Sequence, residues 1–120
     1  MTKADHTLLA IDTVVNPHTS EIVEMRPDWS GRFHKGKFGR DDSVMQGYSY
    51  EEMLRQMDLA RIEKAFLVAN KTGQLGLQGS WHLPYEIVAK AIQQFPDRFY
   101  GLAGLDPTEG MAGVYALTEA

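Results

Sequence analysis

The sequence predicts an α/β fold with a parallel sheet, and two observations carry that prediction. Short, almost uninterrupted apolar runs fall at residues 8–15, 64–69 and 99–105. Stretches with helical apolar spacing fall between and after them, at residues 50–60, 84–95 and 110–120. Strands alternating with helices imply a parallel sheet with helices packed on it. Three such strands and a helix begun at the end of the chain do not close a domain. The expectation is therefore that residues 1–120 form about three βα units, the N-terminal part of a (β/α)8 TIM barrel. A complete barrel needs roughly 250 residues. A self-sufficient small α/β domain is the alternative.

Each element has its own signal. In the first strand Leu8, Leu9, Ala10, Ile11, Val14 and Val15 are interrupted only by Asp12 and Thr13. A run this apolar fits a strand covered on both faces. Asn16-Pro17 ends it. Ser49-Tyr50-Glu51-Glu52 reads as a capping box, in which Ser49 and Glu52 satisfy each other's backbone amides. Met53, Leu54, Met57 and Ala60 then supply a helical apolar face. That helix should stop near Arg61. A left-handed Arg61 would cost roughly 1 kcal/mol relative to glycine. Ala65-Phe66-Leu67-Val68-Ala69 is the second strand. Pro84 suits the first turn of a helix, and Ile87, Val88, Ala91, Ile92 and Phe95 form its stripe before Pro96 stops it. The third strand carries Gly101, Ala103 and Gly104, small residues suited to close backbone approach. Asp106 or Thr108 caps the final helix.

Residues 19–47 show no clear periodicity and read as a long loop. A segment of this length in a compact domain is usually functional or disordered. Trp29, Phe33 and Phe38 argue for order. Arg32, His34, Lys35, Lys37 and Arg40 make it basic. It is either a solvated surface loop or a contact for an anionic substrate, with His34 the candidate side chain.

Composition narrows the class. Apolar residues make up 43% and charged residues 23%, ordinary for a globular protein. A net charge of −4 gives no reason to expect nucleic acid or an anionic membrane as partner. The absence of cysteine excludes a disulfide scaffold, a cysteine nucleophile and a thiolate metal site. The polar start with His6 is not a signal peptide, and no apolar run approaches the roughly 18 residues of a membrane span. A cytoplasmic protein acting on a small molecule, with self-association open, is the expectation.

In parallel α/β folds the site lies at the carboxyl ends of the strands. Asp12, Asn16 and His18 fall at the end of the first. Asn16 and His18 converge as metal donors if the chain stays extended through Pro17. His18 is a metal ligand or proton-transfer group, or else a histidine bonded to loop backbone. Lys71, with Asn70 beside it, follows the second strand, as an anion contact or a solvated side chain. His82 precedes the second helix, where it meets substrate or metal, caps its own helix, or packs on Trp81. Asp106 follows the third strand and reads as a cap. There is no P-loop, dinucleotide fingerprint or nucleophile elbow.

The stretch Pro96-Asp97-Arg98-Phe99-Tyr100-Gly101-Leu102-Ala103-Gly104-Leu105-Asp106-Pro107 resembles the helix-two to strand-three junction of amidohydrolase-related proteins. Tyr50-Glu51-Glu52-Met53-Leu54, Met57-Asp58, Lys64-Ala65-Phe66-Leu67-Val68 and Leu9-Ala10-Ile11-Asp12 are similar to that family as well. These are metal-dependent TIM barrels that include aminocarboxymuconate-semialdehyde-type decarboxylases and hydrolases of aromatic catabolism. The resemblance implies a divalent metal, zinc foremost, that polarises a carbonyl or activates water. In the family the first strand ends in two metal-binding side chains, and those positions fall here on Val14 and Asn16. Valine cannot bind a metal and asparagine offers only a carbonyl oxygen, so His18 is the substitute ligand. The resemblance implies a hydrolase acting on a carbonyl-containing, aromatic-derived acid or thioester. His18 and His82 would serve its chemistry, and Lys71, Asn70 and His34 its substrate. A non-oxidative decarboxylase and a metal-free relative that binds without catalysis are the alternatives. A piece of a barrel is expected to leave strand edges and helix faces exposed and to aggregate when expressed alone.

Overall fold

The computed structural model describes residues 9–120; His6 and the first residue of the first expected strand lie outside that range. The elements run β1 (Ala10–Val15), α1 (Ser20–Met25), α2 (Asp28–Phe38), α3 (Asp42–Met45), α4 (Tyr50–Leu59) and β2 (Ile62–Ala69). They continue with β3 (Lys71–Thr72), β4 (Trp81–His82), α5 (Tyr85–Gln94), β5 (Phe99–Ala103), a 3-10 turn (Pro107–Glu109) and α6 (Met111–Glu119). The main sheet has the order β1-β2-β5, with both pairs parallel. The chain is thus an α/β protein with a three-stranded parallel sheet, as the alternating apolar runs predict.

The core lies on one side of that sheet. Along β2 the buried residues alternate, Ala65, Leu67 and Ala69, as a period of two requires. They meet Met53 and Met57 from α4, and Val88 and Ala91 from α5, around a fully buried Phe99. Burying a side chain of that size removes a few kcal/mol of unfavourable hydration. The other face carries Phe66 stacked on Tyr100 with centroids 5.1 Å apart. Lys64 Nζ donates to the Tyr100 hydroxyl at 3.1 Å. Ile11, Val14, Tyr100 and Leu102 are exposed there or along the β1 edge. A parallel sheet is ordinarily covered on both faces; here the helices cover one.

The local signals explain the element ends. Glu52 N–H donates to Ser49 Oγ at 3.1 Å. The reciprocal half of the capping box is replaced, because the Glu52 carboxylate accepts from Arg55 and Gln56 instead. Arg61 takes a left-handed φ of 59°, the conformation that stops α4. Pro84 sits one residue before α5, and Phe95 caps its far end.

Residues 19–47 differ from the irregular loop that the sequence suggests, for they hold α1, α2 and α3. Thr19 caps α1 by accepting from Ile22 N–H. α2 follows Pro27 and ends at a left-handed Gly39. Ile22 is the buried residue of α1, and Ser30 that of α2. With so little buried on either helix, no apolar stripe betrays them in the sequence. Gly31 and Gly36 lower the helix propensity of α2 further.

Candidate functional site

The carboxyl ends of β2 and β5 are drawn together by backbone. Gly104 N–H donates to the Ala69 carbonyl at 2.8 Å, and Leu83 N–H to the Asn70 carbonyl, also at 2.8 Å. Immediately beyond, β3 and β4 form a small antiparallel ladder that sets Lys71 opposite His82 and Thr72 opposite Trp81. Gly104 has no side chain because none fits. A Cβ there would stand 2.6 Å from the Ala69 oxygen and 2.9 Å from the Lys71 nitrogen. The glycine therefore sets the spacing of the strand ends that carry the polar groups.

Two ionic pairs sit on this rim. Lys71 Nζ binds Glu109 Oε2 at 2.6 Å, and its side chain is 10% exposed. Its pKa is raised, first by the Glu109 hydrogen bond. His82 Nε2 stands 3.6 Å from Asp106 Oδ2. The same nitrogen lies 2.8 Å from the Gly73 carbonyl oxygen. A carbonyl only accepts, so Nε2 carries the hydrogen and Nδ1 is the nitrogen left to take a proton. Asp106 is buried and accepts from Thr108 N–H at 2.9 Å and from Thr108 Oγ1 at 2.7 Å. Those bonds, and then the charges of His82 and Lys71, hold its carboxyl below the usual range. The Tyr85 hydroxyl donates to the Gly104 carbonyl, and Lys71 Nζ lies 5.0 Å from the Tyr85 ring centroid.

The end of β1 is organised differently. β1 stops at Val15, and residues 16–19 pair with no strand. Asn16 is exposed while His18 is buried, so the two side chains do not share one environment. His18 is walled by the next segment. Its carbonyl accepts from Tyr48 N–H at 3.0 Å, and its ring lies 5.8 Å from that of Tyr48. Gly47, at φ +77°, passes so close that a Cβ would meet the backbone of residues 18–20 at 2.7–2.9 Å. Among the described residues no three His, Asp or Glu side chains converge to hold a metal.

A second polar cluster comes from the helical excursion. Arg26, just past α1, donates through Nη2 to the Pro17 carbonyl at 3.3 Å, and its guanidinium carbon lies 5.4 Å from the Trp81 ring centroid. It thereby ties the end of β1 to the β3–β4 hairpin. Burial lowers its pKa, and the charge of Arg40 lowers it further. His34 is shifted down by desolvation and then by Arg40, Arg26 and His18. His34 thus feels Arg40, Arg26 and His18, and Arg26 feels Arg40.

Of the residues singled out in the sequence, Lys71 and His82 come together with Asp106. Asn70 adjoins them through its backbone. His18 and His34 belong to the Arg26 cluster, and Asn16 to neither. Tyr85, Glu109, Trp81 and Arg26 escape a reading of the sequence. Pairs so far apart along the chain leave no local spacing to find.

No family model matches the chain, and no curated protein or solved structure does so either. The fold and the rim define an α/β protein with a polar cluster at the carboxyl ends of its parallel strands. No helix of the described residues is long and apolar enough to cross a membrane.

Proposed function

We propose that this chain belongs to an amidohydrolase-related hydrolase of TIM-barrel type, acting on a carbonyl-containing, aromatic-derived acid or thioester. The observation that supports it is the meeting of Lys71, His82 and Asp106 at the carboxyl ends of parallel strands. Polar side chains at that end are where parallel α/β enzymes do their chemistry. The reading carries a small-molecule substrate, a cytoplasmic location, self-association, and no nucleic-acid or membrane partner.

In this proposal His82 is the proton-transfer group. Its Nε2–H is spent on Gly73, so Nδ1 takes the proton, and Asp106 offers a carboxylate to the ring once it is charged. Lys71 gives one N–H to Glu109 and a second interaction to Tyr85, which leaves an N–H for a substrate oxygen. Asn70 and His34 add substrate contacts. The family resemblance brings zinc with it, with Asn16 and His18 as candidate donors. The described residues do not assemble a metal-binding set, so no step is derived through the ion. Val14, exposed where the family places a ligand, favours a second reading: a metal-free relative that binds without catalysis.

The test is turnover of phenyl acetate and S-phenyl thioacetate by the full protein with added zinc. General acid–base groups contribute on the order of 100-fold or more, so His82→Gln should lose at least that factor. An inert wild type, or an undiminished variant, refutes the hydrolase reading. Carbon dioxide released from aromatic acids points to the decarboxylase instead. Elemental analysis decides the metal: stoichiometric zinc supports the metalloenzyme, and its absence supports the metal-free relative.

A further inference from the structure

The helix α2 has little to rest on. Of its eleven residues it buries Ser30 alone. A helix this short draws its stability from packing an apolar face against something else. The phenylalanines of α2 face outward instead. Phe33 and Phe38 are 46% and 60% exposed, and their rings meet edge to face at 5.3 Å. The Arg40 guanidinium carbon lies 5.9 Å from the Phe38 ring centroid, so two rings and a cation form one outward patch. Arg32, Lys35 and Lys37 are exposed on the same helix. Charge is also segregated along the chain. Residues 26–40 hold five of the twelve basic side chains and one of the sixteen acidic ones. That segment stands at +4 and the rest of the chain at −8. A counterpart lies elsewhere on the molecule. Between β1 and α4 runs an open groove of about 470 Å³, lined by Val15, Met53, Met57 and Ile62 together with Asp12 and Glu52. Clefts of that volume accept aromatic groups, and methionine side chains adapt to what enters. Its α4 wall carries Glu51, Glu52 and Asp58 against Arg55.

We propose that α2 of one copy of this chain seats in the β1–α4 groove of a second copy, which returns its own α2 in the same way. Phe33 and Phe38 enter the apolar part of the groove, and the basic side chains around them meet Asp12 and the acidic wall. A reciprocal exchange of this kind closes at two copies. At each seat two half-exposed rings, the stems of the flanking basic side chains and the groove surface beneath them leave water. Two seats together bury on the order of 1,000 Å², the lower end for specific association. A basic helix with exposed aromatic rings also suits an anionic membrane. The rest of the chain decides between them, because its charge of −8 is repelled by such a membrane and attracted by α2. Of the proposed function this inference takes up self-association alone and uses no catalytic group.

The test is sedimentation equilibrium of the full chain across micromolar concentrations. A monomer–dimer equilibrium is expected, and it should weaken at least threefold as salt rises from about 0.05 to 0.5 M, because the seats are partly ionic. Phe33→Ser with Phe38→Ser removes two exposed rings and should weaken the dimer at least tenfold, with the far-ultraviolet circular dichroism unchanged. Lys37→Glu with Arg40→Glu should do the same, and so should Asp12→Lys with Glu52→Lys. Mixed in equal amounts, those two charge variants should form a heterodimer, since one seat keeps the natural charges and the other exchanges them. The salt series uses the unaltered chain and decides the matter should a variant fail to fold. A chain that stays monomeric overturns the exchange, as does a dimer indifferent to salt or to loss of the two rings. Growth past the dimer, or a mixture without heterodimer, overturns it too. A monomer that binds phosphatidylserine vesicles gives the patch to a membrane instead. A dimer of the expected kind beside an inert esterase assay removes the hydrolase reading and leaves the exchange standing; turnover by a monomer does the converse.

Discussion

Gly104→Ala is the sharpest probe of how the rim is built. The residue does not need a left-handed backbone, so the effect of a methyl group is steric alone. The new Cβ would lie 2.6 Å from the Ala69 oxygen and 2.9 Å from the Lys71 nitrogen. Ordinary contact begins near 3.4 Å, so the strand ends must part by about 0.8 Å to accept the methyl group. Both listening atoms are backbone and cannot swing aside. Parting the strands stretches the Gly104–Ala69 hydrogen bond of 2.8 Å, worth about 1 kcal/mol, and overpacking elsewhere costs about 1–3 kcal/mol. A loss of about 2–3 kcal/mol is expected. With a urea dependence of about 1–3 kcal/mol per molar, the unfolding midpoint should fall by about 1 M or more. Gly36→Ala is the control. It lies within α2, where a Cβ meets nothing within 4 Å, and should gain about 0.5–1 kcal/mol from helix propensity. A Gly104→Ala midpoint within about 0.3 M of wild type would refute the claim that this glycine sets the strand spacing. The Lys71 amide resonance should shift in Gly104→Ala and stay in place in Gly36→Ala.

Two further outcomes can be checked by denaturation. Arg61→Gly and Arg61→Ala remove the same side chain from a residue at φ 59°, so the glycine variant should be the more stable by about 1 kcal/mol; equal midpoints would show that no strain resides there. The Asp106 carboxyl titrates below its ordinary value of 3.8 because Thr108, His82 and Lys71 favour the anion. Its contribution is therefore complete above that value and is lost as the pH falls toward the folded pKa. Between pH 6 and pH 3, Asp106→Asn should lose less thermal stability than wild type. Glu52, held at about 2 by Arg55 and Gln56, adds a loss of the same sign, and Glu52→Gln separates it. Parallel melting profiles for wild type and Asp106→Asn would contradict the assignment.

β2 and the helices α4 and α5 are legible in the sequence because burial imposes a period on them, while β1, β5 and α6 show as apolar runs. Ala65, Leu67 and Ala69 alternate, and Met53 and Met57 recur one helical turn apart. Start and stop signals are equally local, as at Ser49, Pro84 and Arg61. What hides is whatever buries little or pairs at a distance. α1 and α2 bury Ile22 and Ser30, too little to leave a stripe. The β3 and β4 strands are two residues each and have no period at all. Of the rim, the rule that strand ends carry chemistry points to Lys71, while His82 stands out only as preceding a helix and Asp106 only as a cap. It cannot find Tyr85, whose hydroxyl reaches Gly104, or Arg26, whose guanidinium faces Trp81. β1 itself ends at Val15, and beyond it Asn16 is exposed while His18 is buried.

The two ends of the sheet use their polar groups in different ways, and that contrast argues for where function lies. At the amino end Arg98 donates to the carbonyls of Glu63 and Ile62 at 2.7 and 3.2 Å and to Asp58 at 2.7 Å. The guanidinium is spent on backbone and on the last turn of α4, so it fastens strands to helix and leaves little with which to bind. At the carboxyl end Lys71 pairs with Glu109 and His82 stands near Asp106, while His82, Arg26 and Tyr85 also meet the Gly73, Pro17 and Gly104 carbonyls. Beside them Arg26 Nε and His34 Nδ1 are buried without partners. A group that fastens is best satisfied within the fold; a group that binds must leave a bond to be made by something else. Arg26 and Arg98 are the same residue type at opposite ends of one sheet. Only the former keeps a buried N–H without a partner.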